Sequence, residues 1–315
     1  MPLQKLVVSS LVSLSLSLVF GFIFLPLLKK LKAGQPINKY VPEHNKKSGT
    51  PTMGGIIFVI PSVVLSSFFT EFNMTALVAC GLTLFYAAVG FADDFIKIKF
   101  SRNEGLTPWQ KIIFELLGAF VAAAFAVRTE KTYVFLPFTN LSFNLGIWYF
   151  PFVAFVFLAL TNCVNLTDGL DGLASSASFP VLLCVGALAF LKGGETGLSV
   201  FAVIFAFSLV GFLFFNVYPA KVFMGDCGSL AIGAAVSSIA CFSGCALYSA
   251  LSGVCFVISG VSVIIQVLHY KRTKRRAFKM APFHHHLQHS SWSEPRVAIL
   301  YFLLSVCASL VCFLR

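Results

Sequence analysis

Long apolar runs separated by short polar segments follow one another along the whole chain. A membrane-spanning helix needs about 20 predominantly apolar residues. The pattern predicts about ten such spans, at 6–28, 54–70, 76–96, 109–127, 146–163, 176–191, 198–215, 229–247, 250–270 and 297–314. Long stretches of alternating polarity are absent, which argues against an outer-membrane barrel. We therefore expect an all-α, polytopic membrane protein with a single integral-membrane domain over residues 1–315.

The composition and the charge distribution fit this class and give it an orientation. The chain is 58% hydrophobic and 11% charged, which is far from the composition of a soluble domain. Most of its Lys and Arg residues fall within 29–47, 97–111 and 271–296. Because positive residues favour cytosolic loops, we expect these loops inside and both termini outside. The net charge of +11 then mainly reflects the orientation of the chain in the membrane, and no nucleic-acid partner is expected.

All five aspartates of the chain lie at the cytosolic ends of predicted spans: Asp93, Asp94, Asp168, Asp171 and Asp226. Aspartate is costly in a bilayer and is usually retained there for a function. Carboxylates gathered in this way suit Mg²⁺, which binds one or two of them together with substrate phosphates. The pattern therefore indicates an enzyme that handles phosphates at a membrane surface.

The spacing of these acids suggests local arrangements. Adjacent helical residues diverge by about 100°, so we expect Asp93 and Asp94 to point in different directions. One would face a metal while the other holds a lysine or orients a ligand, and Lys97 is an i,i+4 neighbour of Asp93. The plain alternative for Asp93 and Asp94 is that both lie at a solvated helix end and bind nothing. For Asp226 the plain alternative is an N-cap of the next helix.

Two further helical patterns involve acids. Asn165, Asp168 and Asp171 recur at i, i+3 and i+6, and they would form one polar stripe if their helix continued past the membrane. Glu115 lies one turn beyond Lys111, which predicts an i,i+4 ion pair at the membrane edge.

Two loops contain candidate phosphate-binding groups. The first has Lys47 followed by Gly49–Gly55 with two threonines, a composition suited to an anion-binding turn or to an ordinary basic flank. The second contains the triplet 284–286, which is typical of a metal tract but equally suits imidazoles that donate hydrogen bonds to a pyrophosphate. The chain lacks G-x-x-x-x-G-K-[ST], so an ATP-driven machine is not expected.

Together these segments resemble the bacterial phospho-N-acetylmuramoyl-pentapeptide transferases, or translocase I. That family lies within the polyprenyl-phosphate N-acetylhexosamine-1-phosphate transferases. The resemblance is carried by GTPTMGG at 49–55, FADD at 91–94, NLTDGLDGL at 165–173, FNVYPAKVFMGD at 215–226 and MAPFHHHLQ at 280–288. The uninterrupted His triplet and PTMGG favour the muramoyl-pentapeptide member over the N-acetylglucosamine members.

The resemblance implies a reaction and a site. UDP-N-acetylmuramoyl-pentapeptide and undecaprenyl phosphate would give the lipid-linked diphosphate and UMP, with Mg²⁺ as cofactor. Asp226 would bind the metal, Asp93 and Asp94 would lie beside it, and His285 would join them as a catalytic residue. The implied substrate-binding residues, with Phe223 stacking on uracil, are Lys47, Thr52, Lys97, Lys111, Asn165, Asp168, Gly169, Leu170, Asp171, Asn216, Phe223, Gln266, His284 and His286.

The resemblance also implies a homodimer in the bacterial inner or plasma membrane, with the site facing the cytosol. Either an aspartate attacks the β-phosphate to form a covalent intermediate, or the lipid phosphate attacks directly. We favour direct attack, because a phosphate with a second pKa of about 6 is largely ionised near neutral pH.

Other classes of protein remain as alternatives at this stage. A polyprenyl-phosphate N-acetylglucosamine-1-phosphate transferase would share the aspartates. A transporter would place charged groups nearer the membrane midplane. An intramembrane aspartyl protease would use two aspartates from different spans, which Asp93 and Asp226 resemble.

Overall fold

The computed structural model describes residues 3–30, 49–100, 104–139 and 141–314. In this part of the chain the fold is almost entirely helical, which confirms the predicted class. The helices are α1 Leu3–Lys30, α2 Ile56–Phe69, α3 Met74–Lys99, α4 Pro108–Arg128, α5 Tyr149–Thr167, α6 Leu173–Leu191, α7 Thr196–Asn216, α8 Gly225–Phe242, α9 Ala246–Ser252, α10 Val254–Thr273, α11 Phe283–Gln288 and α12 Glu294–Val311.

Nine of the helices in the described ranges are long and apolar enough to cross a membrane. They correspond to nine of the predicted spans, and the chain is a multi-pass membrane protein. The tenth predicted span, 54–70, contains α2, which is apolar but only 14 residues long. Residues 54–55 form a turn, and α2 begins after it at Ile56.

One boundary differs from the prediction near the end of α8. The predicted spans 229–247 and 250–270 are replaced by α8, the short α9 and α10. Helix α8 ends at Phe242 because Gly244 adopts a positive φ of 73°, a conformation that a helix does not accommodate.

Helix α8 is the centre of the bundle. Of its 18 residues 94% are buried, against 22% for α1 and for α12. Its sequence is rich in Gly, Ala and Ser, which allow helix backbones to approach closely within a membrane. A Cβ atom at Gly90 of α3 would lie 2.1 Å from the carbonyl oxygen of Asp226. This close contact brings the carboxyl-terminal end of α3 against the start of α8.

Replacement of Gly90 by alanine is therefore expected to lower the stability of the bundle. The added methyl group overlaps the backbone of α8, and overpacking of this kind costs about 2 kcal/mol. The matched control is Gly81→Ala in the same helix, where an added Cβ meets no atom within 4 Å. Thermal unfolding in detergent should show a lower midpoint for Gly90→Ala only. Equal midpoints for the two variants would contradict this account of the α3–α8 contact.

The ends of the bundle differ in structure. At one end α3 and α5 finish and α4 and α8 begin. At the other end a two-stranded antiparallel sheet lies between α4 and α5, with strands Tyr133–Phe135 and Ser142–Asn144. The amide of Phe135 donates to the carbonyl of Gly244, just beyond the carboxyl-terminal end of α8. The sheet therefore caps the end of the bundle opposite to the aspartates.

Candidate active site

Three carboxylates converge where α3 meets α8. Asp93 and Asp94 lie in the last two turns of α3, and Asp226 lies in the first turn of α8. One oxygen from each lies within 4.8 Å of the others. Asp93 is 1% exposed and Asp94 is fully buried. The expected divergence of Asp93 and Asp94 does not separate them, because both carboxylates lie against the first turn of α8.

Two lysines neutralise part of this charge. The Nζ atom of Lys97 lies 2.5 Å from Asp93 Oδ2, 3.7 Å from Asp94 Oδ1 and 3.1 Å from Asp226 Oδ2. The Nζ atom of Lys111 lies 2.5 Å from Asp226 Oδ2 and 3.4 Å from Asp93 Oδ1. The predicted i,i+4 pair of Asp93 and Lys97 is confirmed. The site thus combines carboxylates, which suit a cation, with ammonium groups, which suit phosphates.

Each carboxylate is also held by a hydrogen-bond donor from another segment. The amide of Leu106 donates to Asp93 Oδ1 at 2.8 Å, and the amide of Cys227 donates to Asp94 Oδ2 at 3.2 Å. Asn165 donates through Nδ2 to Asp226 Oδ1 at 2.8 Å. Sequence reasoning missed the two backbone donors, because a main-chain amide carries no signal in residue type.

Gly225 fixes the start of α8 in this arrangement. Its φ is 72°, and a Cβ atom there would lie 2.4 Å from Asp94 Oδ2 and 2.6 Å from Thr52 Oγ1. The N-cap of α8 is Met224, so Asp226 is inside the helix and the N-cap alternative is wrong. In the first helical turn Asp226 still benefits from the positive end of the helix dipole.

The expected pairing of Lys111 with Glu115 is wrong. The Lys111 ammonium group is directed to Asp93 and Asp226, as described above. Glu115 instead accepts hydrogen bonds at Oε2 from Asn162 Nδ2 at 2.6 Å and Thr161 Oγ1 at 3.3 Å. Both donors belong to α5, so Glu115 links α4 to α5.

The expected polar stripe is also wrong. Helix α5 ends at Thr167, and the chain turns through Gly172, whose φ is 72°, before α6 begins. Asn165 therefore faces Asp226, whereas Asp171 Oδ2 accepts from the amide of Ala220 at 2.9 Å. Asp168, which follows the last residue of α5, has a φ of −77° and a ψ of 52°, so the helix does not continue and the i, i+3, i+6 spacing no longer defines a face.

Asp168 follows α5 directly in this turn. Burial in the loops, together with the charges of Asp226 and Asp171, raises the pKa of Asp168 to about 7. This carboxyl group therefore takes up a proton much closer to neutral pH than an ordinary aspartate does. It can donate a hydrogen bond as well as accept one, which suits a contact with a polar ligand.

The loop between α7 and α8 packs against the segment before α2. The amide of Phe223 donates to the carbonyl of Pro51 at 2.8 Å, and the amide of Gly54 donates to the carbonyl of Phe223 at 2.9 Å. The ring of Phe223 is half-buried, and Leu170 and Thr52 are buried. Asn216 is buried and donates to the carbonyl of Val222. These contacts place the 49–55 segment beside the aspartates.

Helix α11 brings part of the His triplet to the same region. A Cβ atom at Gly169 would lie 2.3 Å from His284 Nε2 and 3.1 Å from His285 Nε2, so both imidazoles contact this loop. His286 faces elsewhere, since its ring stacks on Phe283 and its Nδ1 accepts from the amide of Lys279. The triplet therefore does not converge on one point.

The buried His284 makes the position of α11 sensitive to pH. Burial and the neighbouring His285 lower the pKa of His284 well below its ordinary value of about 6.5. An undocked α11 would therefore bind more protons than a docked one below that pH, and docking is weakened as the pH falls. Amide exchange across 279–293, corrected for intrinsic rates, should accelerate about tenfold from pH 7.5 to 5.5. His284→Gln should remove this acceleration, and its persistence in that variant would contradict the assignment.

Gln266, a member of the predicted substrate-binding set, contacts a different loop. Gln266 of α10 accepts through Oε1 from the amides of Ala277 and Phe278, so it orders the loop that precedes α11. Lys47 lies outside the described residues. Apart from His286, the remaining members of the set lie near the three aspartates or the 168–171 turn.

The membrane-embedded helical fold and its cluster of carboxylates and lysines define a membrane enzyme that acts on phosphates. Comparisons with known proteins agree with this class. The family model described as glycosyl transferase family 4 matches residues 74–244, which include the three aspartates. A shorter model, described as signature 1 of phospho-N-acetylmuramoyl-pentapeptide-transferase, matches residues 47–59. The chain is accordingly an enzyme that transfers a phospho-sugar.

Curated relatives make the assignment more specific. Proteins named phospho-N-acetylmuramoyl-pentapeptide-transferase are similar to this chain over almost its full length. One from Thermoanaerobacter sp. is 40% identical over 99% of this chain and 98% of its own. One from Clostridium perfringens is 41% identical over 98% of each, and one from Clostridium botulinum is 41% identical over 96% and 94%. The chain belongs to the phospho-N-acetylmuramoyl-pentapeptide transferase family.

Proposed function

We propose that this enzyme transfers phospho-N-acetylmuramoyl-pentapeptide from its UDP conjugate to undecaprenyl phosphate and releases UMP. This is the first membrane step of peptidoglycan synthesis. The observation that carries the proposal is the convergence of Asp93, Asp94 and Asp226 with Lys97 and Lys111 at one end of a membrane-embedded bundle. A nucleotide sugar and a lipid phosphate can both reach such a site.

The three carboxylates fit a magnesium ion. Oxygen ligands are those that Mg²⁺ prefers, and the clustered oxygens come from buried or half-buried side chains held by hydrogen bonds. Asp226 would be the principal ligand, with Asp93 and Asp94 beside it. The ion would neutralise the negative charge that develops on the transferred phosphate. The residues themselves bind and orient the two substrates.

The substrate-binding roles follow the distribution of charge and shape. Lys97 and Lys111 would neutralise the diphosphate, with Asn165 holding Asp226 in place between them. The turn 168–171 and Phe223 would bind uridine, the ring of Phe223 stacking on uracil. The remaining contacts proposed for the cleft are those of Lys47, Thr52, Asn216, Gln266, His284, His285 and His286.

The ionised state of the lipid phosphate favours direct attack. Its oxygen would form a bond to the β-phosphorus of the nucleotide sugar, the bond from that phosphorus to the bridging oxygen would break, and UMP would leave with the electron pair. A lipid phosphate that is already ionised needs no general base. Asp93 would then orient charge rather than form a covalent intermediate.

The proposal includes a location and an assembly. The positive-inside distribution of Lys and Arg supports a bacterial inner or plasma membrane orientation with the site facing the cytosol. The weakly buried α1 and α12 offer apolar faces to lipid or to a second copy, which is compatible with a homodimer. The whole chain, 1–315, would act as one domain.

Substrate choice tests the proposal against the related N-acetylglucosamine reaction. Purified protein with Mg²⁺ and undecaprenyl phosphate would receive UDP-N-acetylmuramoyl-pentapeptide or UDP-N-acetylglucosamine in separate assays of UMP release. We expect release from the muramoyl substrate only. Release from the acetylglucosamine substrate alone would keep the superfamily and reject the proposed donor.

A further inference from the structure

A further carboxylate, that of Glu115, lies inside the membrane span of α4, close to the site but outside the aspartate cluster. Glu115 is 1% exposed. Its Oε2 atom accepts from Asn162 and Thr161, while Oε1 is buried and accepts no hydrogen bond from the described residues. A half-satisfied carboxylate at this depth is costly. Linking α4 to α5 explains only one of its two oxygens.

Lys111 lies one turn before Glu115 on the same helix. Its ammonium group contacts Asp226 Oδ2, and the Lys97 ammonium group contacts that same oxygen. A divalent cation held by Asp93, Asp94 and Asp226 would compete with both lysines for these atoms. Like charges repel strongly at such distances, so at least one ammonium group must withdraw when a cation binds.

Lys97 and Lys111 differ in the alternative carboxylates that lie within reach on their own helices. The near neighbours of Lys97 on its own helix are Asp93 and Asp94, which belong to the cluster itself. Lys111 has Glu115 at i+4, the spacing at which side chains on a helix meet. Withdrawal of Lys111 towards Glu115 would satisfy the free oxygen and keep the ammonium group beside the phosphate site.

We propose that Glu115 is a positioning residue that receives the Lys111 ammonium group when a divalent cation occupies the Asp93–Asp94–Asp226 cluster. The inference rests on the proposed metal site. It assigns Glu115 a role in cation binding through Lys111, without contact to the substrates. A purely structural Glu115 would affect the stability of the α4–α5 contact and would act independently of Lys111.

A double-mutant cycle with Mn²⁺ as the probe separates these roles. Mn²⁺ shares the oxygen-ligand preference of Mg²⁺, and its free fraction can be measured by electron paramagnetic resonance with full-length protein in detergent. Glu115→Gln retains an oxygen that can accept from Asn162 but cannot form an ion pair with an ammonium group. We expect it to weaken Mn²⁺ binding roughly fivefold. In a Lys111→Met background the same change should have no effect.

A matched control addresses the structural role. Asn162→Leu removes the hydrogen bond to Glu115 but keeps the carboxylate, so Mn²⁺ affinity should remain unchanged. Weakening in Asn162→Leu equal to that in Glu115→Gln would assign the effect to the α4–α5 link and overturn the proposal. Thermal unfolding would establish that each variant is folded, and Glu115→Met, which also removes the charge, would replace Glu115→Gln if the latter is not.

The remaining outcomes are equally decisive. An equal effect of Glu115→Gln with and without Lys111 would mean that the carboxylate acts through its long-range field, which overturns the proposal. No effect in either background would overturn it as well. Failure of the unchanged chain to bind Mn²⁺ would instead contradict the metal site, so the two failures are distinguishable.

Discussion

Asp226→Asn is expected to lower the rate of UMP release by about a thousandfold, the loss typical of removing one preorganised charged group from an active site. The carboxylate accepts from Asn165 at one oxygen and contacts both lysines at the other. The amide keeps the size of the side chain but loses its charge, and its NH₂ group opposes either Asn165 or the ammonium groups. The loss should therefore appear in turnover and in Mn²⁺ binding together.

The matched control for this variant is Glu104→Gln. Glu104 is an exposed carboxylate in the loop that leads to Leu106, so the substitution removes the same charge near the site without touching the cluster. UMP release by this variant should remain within about twofold of the unchanged enzyme, as for most surface substitutions. A loss of less than tenfold in Asp226→Asn would contradict a central role for this carboxylate.

The second large effect is expected for Asp93→Asn, which should separate chemistry from nucleotide binding. Asp93 is buried, and its two oxygens contact Lys97, Lys111 and the amide of Leu106. Its loss should lower turnover at least about a hundredfold, because the two ammonium groups lose their alignment at the reacting phosphates. Binding of the UDP conjugate, measured by calorimetry, should change little. Unchanged turnover would reject the proposed role of Asp93.

A reaction without the acceptor lipid distinguishes direct attack from a covalent route through Asp93. Direct attack requires the acceptor lipid, so the unchanged enzyme mixed with the nucleotide sugar and Mg²⁺ alone should release no UMP. A covalent aspartyl intermediate would give a burst of UMP of about one equivalent per site without lipid. A burst that disappears in Asp93→Asn would contradict direct attack and identify the nucleophile.

Much of the architecture could be predicted from hydropathy, because a bilayer requires long apolar helices and its cost for carboxylates confines them to special positions. The pairing of Asp93 with Lys97 depended on helical spacing within α3 and was therefore predictable. The meeting of α3 with α8 was suggested only by the shared side of the membrane. Its structural cause is the backbone contact at Gly90, which depends on tertiary packing.

The wrong predictions have two physical origins. One is the position of helix ends, and the other is competition between partners for the same side chain. The 165–171 stripe failed because α5 ends at Thr167 and the backbone of Asp168 is no longer helical, which spacing alone does not reveal. The Lys111–Glu115 pair failed because two aspartates from other helices offered Lys111 a stronger site. The small sheet at 133–144 was not predicted, since its three-residue strands give almost no periodic signal.

The most direct test of the account is the formation of lipid-linked product from labelled UDP-N-acetylmuramoyl-pentapeptide by the purified protein. The account predicts equal amounts of UMP and lipid-linked diphosphate when undecaprenyl phosphate and Mg²⁺ are both present, and neither product when either is omitted or Mg²⁺ is chelated. Folded protein that binds the nucleotide sugar but forms no lipid-linked product under the complete conditions would contradict it.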